Sequence, residues 1–154
     1  MASTITAATM TVTITEAISL NGSTQGNSNT LTIANINEIF KRIVTCPASA
    51  ETKLLTFNSA VSGAAGALDT EDSKYIRITN KDATNSVEIA VVTGATLYQV
   101  TLHAGHSHIL GTADDCMLSE ADITPSFGTM ADLVTISAKP ASQTIDIEVF
   151  VASV

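Results

Sequence analysis

Apolar residues recur at alternate positions along most of this chain. Met10, Val12 and Ile14 alternate with Thr11, Thr13 and Thr15, the period of two that lets a strand bury one face and wet the other. The phase slips where Ala17 stands between Glu16 and Ile18, so residues 9–20 read as one long strand with a bend. Residues 21–30 are all polar or Gly and read as an exposed loop, although their Asn21-Gly22 pair can also seed a tight hairpin. Ile36, Ile39, Phe40, Ile43 and Val44 fall at helical spacing. That stretch is short, β-branched toward its end and followed by Pro47, so a strand over residues 39–46 is favoured, with a helical turn as the alternative.

Further strands are expected over residues 52–57, 74–79, 87–91, 98–102, 107–110, 133–137 and 144–152. Asn80 to Asn85, Gly94 and the Ala104-Gly105 pair supply turns between them. Residues 59–68 form a loop of small side chains, and residues 111–132 are irregular. Nine or ten strands joined by turns rather than by crossover helices predict an all-β, antiparallel two-sheet β-sandwich or jelly roll. The whole chain, 1–154, reads as a single domain with an extended N-terminal arm over residues 1–9. No fixed-period repeat points to a propeller or solenoid.

Composition agrees. Among 154 residues, 45% are hydrophobic and 14% charged, too apolar for a disordered chain. Threonine occurs 23 times, and its stiff, branched side chain favours pleated backbone. Seven Lys and Arg against 15 Asp and Glu give a net charge of −8. A nucleic-acid or anionic-membrane partner is therefore not expected, because both need clustered cations. No apolar run approaches the length of a membrane span. The first cation is Lys41, so no basic secretory leader is expected. Cys46 and Cys116 could form one disulfide at most, and reduced thiols are expected in a cytoplasmic assembly route.

The densest chemistry is His103, His106 and His108. On a strand, His106 and His108 would face one side, and with Asp114 or Asp115 they could ligate a transition metal. An H-x-H pair on a jelly roll resembles the cupins, yet Val100 stands where that pattern needs Gly, and Thr112 and Ala113 where it needs Glu. Exposed turn residues are the alternative. Cys46 reads as core filler, and neither thiol has a base near it in sequence to activate it. There is no G-x-S-x-G elbow and no phosphate-binding glycine loop. Asp69, Glu71 and Asp72 lack the order of a calcium loop and read as a solvated turn. No catalytic residue, cofactor or metal is expected.

Tyr75-Ile76-Arg77-Ile78-Thr79-Asn80, the turn residue Asn85, Val87 and Ile89, and then Leu102, Ala104, Gly105 and Ser107 form a strand–turn series. This series resembles small β-sandwich virion proteins of tailed bacteriophages, the cyanophage type among them. His108 departs from that pattern, which often has an aromatic there. The resemblance implies a non-enzymatic β-sandwich subunit on the virion, with the major capsid protein or other virion subunits as partners. The acidic charge, which a packaged genome would repel, favours the capsid exterior or tail. A capsid decoration or cement protein, and a homo-oligomer, is the leading expectation. Its contact residues would be Ala2, Ser3, Thr4 and Ile5 in the arm, and Val61, Ala64 and Ala65 in the small-residue loop. A tail, fibre or host-contacting appendage component is the alternative. A cupin-like metalloprotein using the histidines is the third reading.

Overall fold

Alternation becomes pairing in the structure, a computed structural model that describes residues 4–60, 66–120 and 123–154. Its strands are β1 (Ala8–Thr15), β2 (Ser19–Leu20), β3 (Ser23–Thr24), β4 (Ser28–Ile36), β5 (Glu38–Cys46), β6 (Thr52–Asn58), β7 (Leu68–Asp69), β8 (Ser73–Asn80), β9 (Val87–Thr93), β10 (Leu97–Leu102), β11 (Ser107–Leu110), β12 (Leu133–Pro140) and β13 (Ile145–Ser153). The described residues contain no helix, and the all-β expectation holds. β2, β3 and β7 are two-residue strands, below what alternation can register. The ambiguous segment is strand β5, which ends one residue before Pro47.

Contacts divide the chain into two units. One comprises Met1–Glu38 with Val154, and the other Ile39–Ser153. The larger unit is a sandwich of a five-stranded sheet ordered β10-β9-β12-β6-β7 and a four-stranded sheet ordered β11-β8-β13-β5. Neighbours with resolved register run antiparallel, except β6 with β7, where Phe57 lies beside Leu68 in parallel.

The inward faces are the predicted ones. Ile76 and Ile78 on β8, Val87, Ile89 and Val91 on β9, and Ile145, Ile147, Val149 and Val151 on β13 belong to one buried cluster. Two bulges adjust this pattern. On β6 the partners step from Leu55 to Lys53, leaving Leu54 as an extra residue, so Leu54 and Leu55 are both buried although adjacent. On β12 the pairing skips Val134, which moves the inward phase from Leu133 to Ile136 and Ala138. A strict period-two reading cannot foresee either shift.

On the outer face of the four-stranded sheet, Arg77 donates to Glu148 at 2.7 Å, and Lys41 approaches the other carboxylate oxygen at 3.5 Å. Asp82 closes the turn after β8 by accepting the backbone N–H groups of Asn85 at 2.6 Å and Thr84 at 2.8 Å. These amides hold the Asp82 carboxyl below its ordinary range. The Arg77 hydrogen bond does the same for Glu148.

Candidate functional site

The smaller unit has a feature that the sequence reading only half anticipated. Residues 21–30, read as a polar loop, are instead the tip and returning strand of a long hairpin. β1 and β4 pair antiparallel, with Met10 opposite Ile33, Val12 opposite Leu31 and Ile14 opposite Asn29. The same register continues outward through Glu16 N–H to Asn27 O, Gln25 N–H to Ile18 O, and Leu20 opposite Ser23. Asn21 and Gly22 close it with φ values of 52° and 77°, as a two-residue turn matching strand twist requires. The reason the loop expectation failed is composition: Ser28, Asn29 and Thr30 are polar because they pair across a ribbon that water wets.

Around Ala17, where a bend was expected, the strand is interrupted between β1 and β2, and the opposite arm comes close there. A Cβ on Gly26 would lie 1.8 Å from the Glu16 carbonyl oxygen, so only glycine lets the arms approach there. Gly26→Ala is expected to force them apart and detach the tip while leaving the sandwich intact. Hydrogen exchange at the Glu16 and Gln25 amides should then accelerate at least tenfold, with exchange in β8 and β9 unchanged; unaltered protection of Gln25 would refute this reading.

Since pairs keep step along the ribbon, alternate positions share a side. One side is lined by hydroxyls: Thr13 and Thr30 bond at 3.3 Å, and Thr15 and Ser28 at 3.0 Å. The other carries Met10, Val12, Ile14, Ile18 and Leu20, with Leu31 and Ile33 on the returning arm, and toward the tip it also carries Glu16, Ser23, Gln25, Asn27 and Asn29. Ile14 is 49% exposed, Ile18 56%, Leu20 60% and Leu31 51%. Only Ile36 is buried among the described residues up to Glu38. A two-stranded ribbon of this kind leaves these apolar side chains in water.

Of the contact residues expected from sequence, Thr4 and Ile5 are exposed and precede β1. Ala2, Ser3, Val61, Ala64 and Ala65 lie outside the described residues. The exposed apolar ribbon, residues 8–36, was missed because β4 was not recognised. Its signal was present: Asn21-Gly22 is flanked by arms in which Thr11 and Thr13 mirror Thr32 and Thr30.

The histidines do not converge as a strand would have placed them. His106 N–H bonds to His103 O at 3.0 Å, and Gly105 has φ 73°, so a turn occupies residues 103–106 and alternation starts only at Ser107. His103 and His106 are exposed, with ring centroids 5.7 Å apart. His108 is half-buried, its Nε2 2.9 Å from the Tyr98 hydroxyl. Tyr98 and His108 stand on β10 and β11, edge strands of the two sheets, and their bond ties the sheets together along one side. Asp114 accepts a hydrogen bond from Thr112. Among the described residues no three His, Cys, Asp or Glu side chains are placed to hold a metal ion. Both cysteines are free thiols, pushed up in pKa chiefly by burial, which makes them poor nucleophiles.

Burial lowers the pKa of His108, so the unfolded chain takes up that proton first. Its contribution to stability is whole above about pH 6.5 and is lost as pH falls through the folded-state value. Asp82 and Glu148 behave likewise at lower pH: their contribution is whole above about pH 4.5 and fades below it. Urea midpoints at pH 7.5, 5.5 and 3.5 are expected to show His108→Gln removing the upper step and keeping the lower one. Comparing variant with wild type cancels the relief of charge repulsion on acidification. Identical decline in both proteins between pH 7.5 and 5.5 would contradict the assignment.

A depression of about 260 Å³ lies on the five-stranded sheet, where Ala90 faces Ser137, with Glu88 and Lys139 beside them. It is smaller than most small-molecule sites. No family model and no curated protein matches the chain. Among solved structures it is similar to a protein of the Bacillus endospore appendages, described as a novel family of disulfide-linked pili. Identity is 14% and the TM-score 0.41, over 75% of this chain and 84% of that one. It is also similar to Pseudomonas aeruginosa AlgX, at 11% identity and a TM-score of 0.44, over 74% of this chain and 26% of that one.

Proposed function

We propose that this chain is a structural subunit that catalyses no reaction and joins other protein subunits through the β1–β4 ribbon. The observation that carries the reading is the exposed apolar side of that ribbon, whose side chains, Ile36 apart, are not among the buried residues of the chain. Apolar surface of this kind marks a site of protein contact. The resemblance of residues 75–107 to phage virion proteins supports a place on the capsid exterior, as a decoration protein on the major capsid lattice. The net charge of −8 supports the exterior too, since a packaged genome would repel it. A tail, fibre or appendage component is the second reading, favoured by the ribbon's length: the eight residues of β1 alone extend about 27 Å, enough to reach across a neighbouring subunit.

The test is retention on particles. A chain carrying Ile14→Asp and Leu31→Asp is expected to fold yet fail to co-sediment with purified capsids or tails that retain the wild type. Undiminished occupancy would remove the ribbon from the account. Turnover of a small molecule that disappears with His106→Ala would overturn the structural reading altogether.

A further inference from the structure

We infer that the occupant of the ribbon's apolar side is the same side of a second copy of this chain. The inference rests on the structural reading above and names the partner. Three observations support it. First, the choice of side is settled within the ribbon: the hydroxyl side satisfies its own polar groups across the strands, whereas the opposite side buries little.

The second is charge. Residues 4–37 contain one ionisable side chain, Glu16, while the whole chain has 15 acids and seven bases. A basic or acidic partner would find almost nothing to pair with here. The complementary surface must itself be almost uncharged, with an apolar stretch to match Met10, Val12, Ile14, Leu31 and Ile33, and a copy of the ribbon supplies both. Elsewhere the two acidic chains repel each other. Pairing through the uncharged segment brings together surfaces with little charge to oppose.

The third is area. Ile14, Ile18, Leu20 and Leu31 are each about half exposed. With Val12 and Ile33 they offer about 500 Å² per copy, or about 1,000 Å² in a pair, the lower bound for a specific interface. A two-fold arrangement presents the same residues from both copies and stacks the ribbons like two sheets of a sandwich, about 10 Å apart. Glu16 shares the parity of the apolar row and is the one charged side chain in it, so it weakens such a pair most; Asn27 and Asn29 beside it are polar but neutral.

Sedimentation velocity between 1 and 200 µM tests this. The wild type is expected to dimerise reversibly, more tightly at 500 mM than at 20 mM NaCl because salt screens the repulsion between acidic chains. Ile14→Asp with Leu31→Asp should weaken the dimer at least 30-fold, Glu16→Leu should tighten it several-fold, and Thr13→Asp on the hydroxyl side should leave it within threefold of wild type. Unchanged thermal unfolding of the sandwich would show that each variant folds; Glu16→Leu, which removes a charge rather than adding one, reads the same interface should the double variant fail to fold. A wild type that stays monomeric at 200 µM overturns the inference, as does equal loss of dimer in Thr13→Asp. If the double variant falls off particles while the wild type is monomeric in solution, the structural reading stands and the second copy does not.

Discussion

Replacing Asn80 by Ala is expected to lower the unfolding free energy by about 3 kcal/mol, because up to three polar groups would lose their partner at once. Asn80 is fully buried at the end of β8. Its amide Nδ2 donates to Asn85 O at 2.8 Å and Leu102 O at 3.1 Å, and its Oδ1 accepts from Asp82 N–H at 2.9 Å. One side chain thereby fastens the β8–β9 turn to the end of β10. Backbone reinforces the point, since Asn80 N–H donates to His106 O at 3.0 Å. For a domain of this size the loss corresponds to a fall in melting temperature of roughly 6–12 °C. Asn80→Asp is nearly isosteric and is expected to be worse at pH 7, about 4–5 kcal/mol, because a buried carboxylate would face two carbonyl oxygens. Burial raises the pKa of the new carboxyl, so the folded form binds the proton more tightly. The deficit relative to wild type therefore grows as pH rises and shrinks toward pH 5. Urea unfolding at both pH values checks this. A cost below 1 kcal/mol for Asn80→Ala would mean that water replaces the amide at little penalty.

The same asparagine shows where sequence reasoning succeeds and where it stops. As the end of a strand followed by a polar cluster, the Asn80 turn was legible from residue type alone, and so were β8, β9, β10, β11 and β13. β8, β9 and β13 each bury one face and β10 and β11 shield one in part, and alternation is the direct imprint of that burial. The bulges at Leu54 and Val134 were not legible, because they depend on how two particular strands register. The ribbon was hidden for a different reason. Pattern recognition looks for apolar residues that folding hides, and β4 hides almost none. Its Leu31 and Ile33 sit among Asn, Ser and Thr because the strand is wet on one side and exposed on the other. The histidine spacing misled in the opposite direction: placing His106 on the strand required β11 to begin one residue earlier than the Gly105 turn allows.

The second large effect contrasts two isoleucines that look alike in sequence, each on a strand of alternating β-branched residues. Ile147 is fully buried on β13 within a core cluster drawn from both sheets. Ile147→Ala is expected to cost about 3–4 kcal/mol, the lost transfer energy plus the cavity. Ile14 on β1 is 49% exposed, and Ile14→Ala is expected to change sandwich stability by less than about 0.5 kcal/mol. Chemical unfolding, followed at low protein concentration by far-ultraviolet dichroism, separates the two. The ranking should reverse in an assembly measurement, where Ile14→Ala weakens association and Ile147→Ala, below its melting temperature, does not. Stability and assembly would then reside in different strands: the sandwich folds on its own apolar layers, and the ribbon keeps its apolar residues outside because their partner lies beyond the chain. A loss of several kcal/mol from Ile14→Ala in the dilute protein would place the ribbon's apolar side inside the folding core and remove that division.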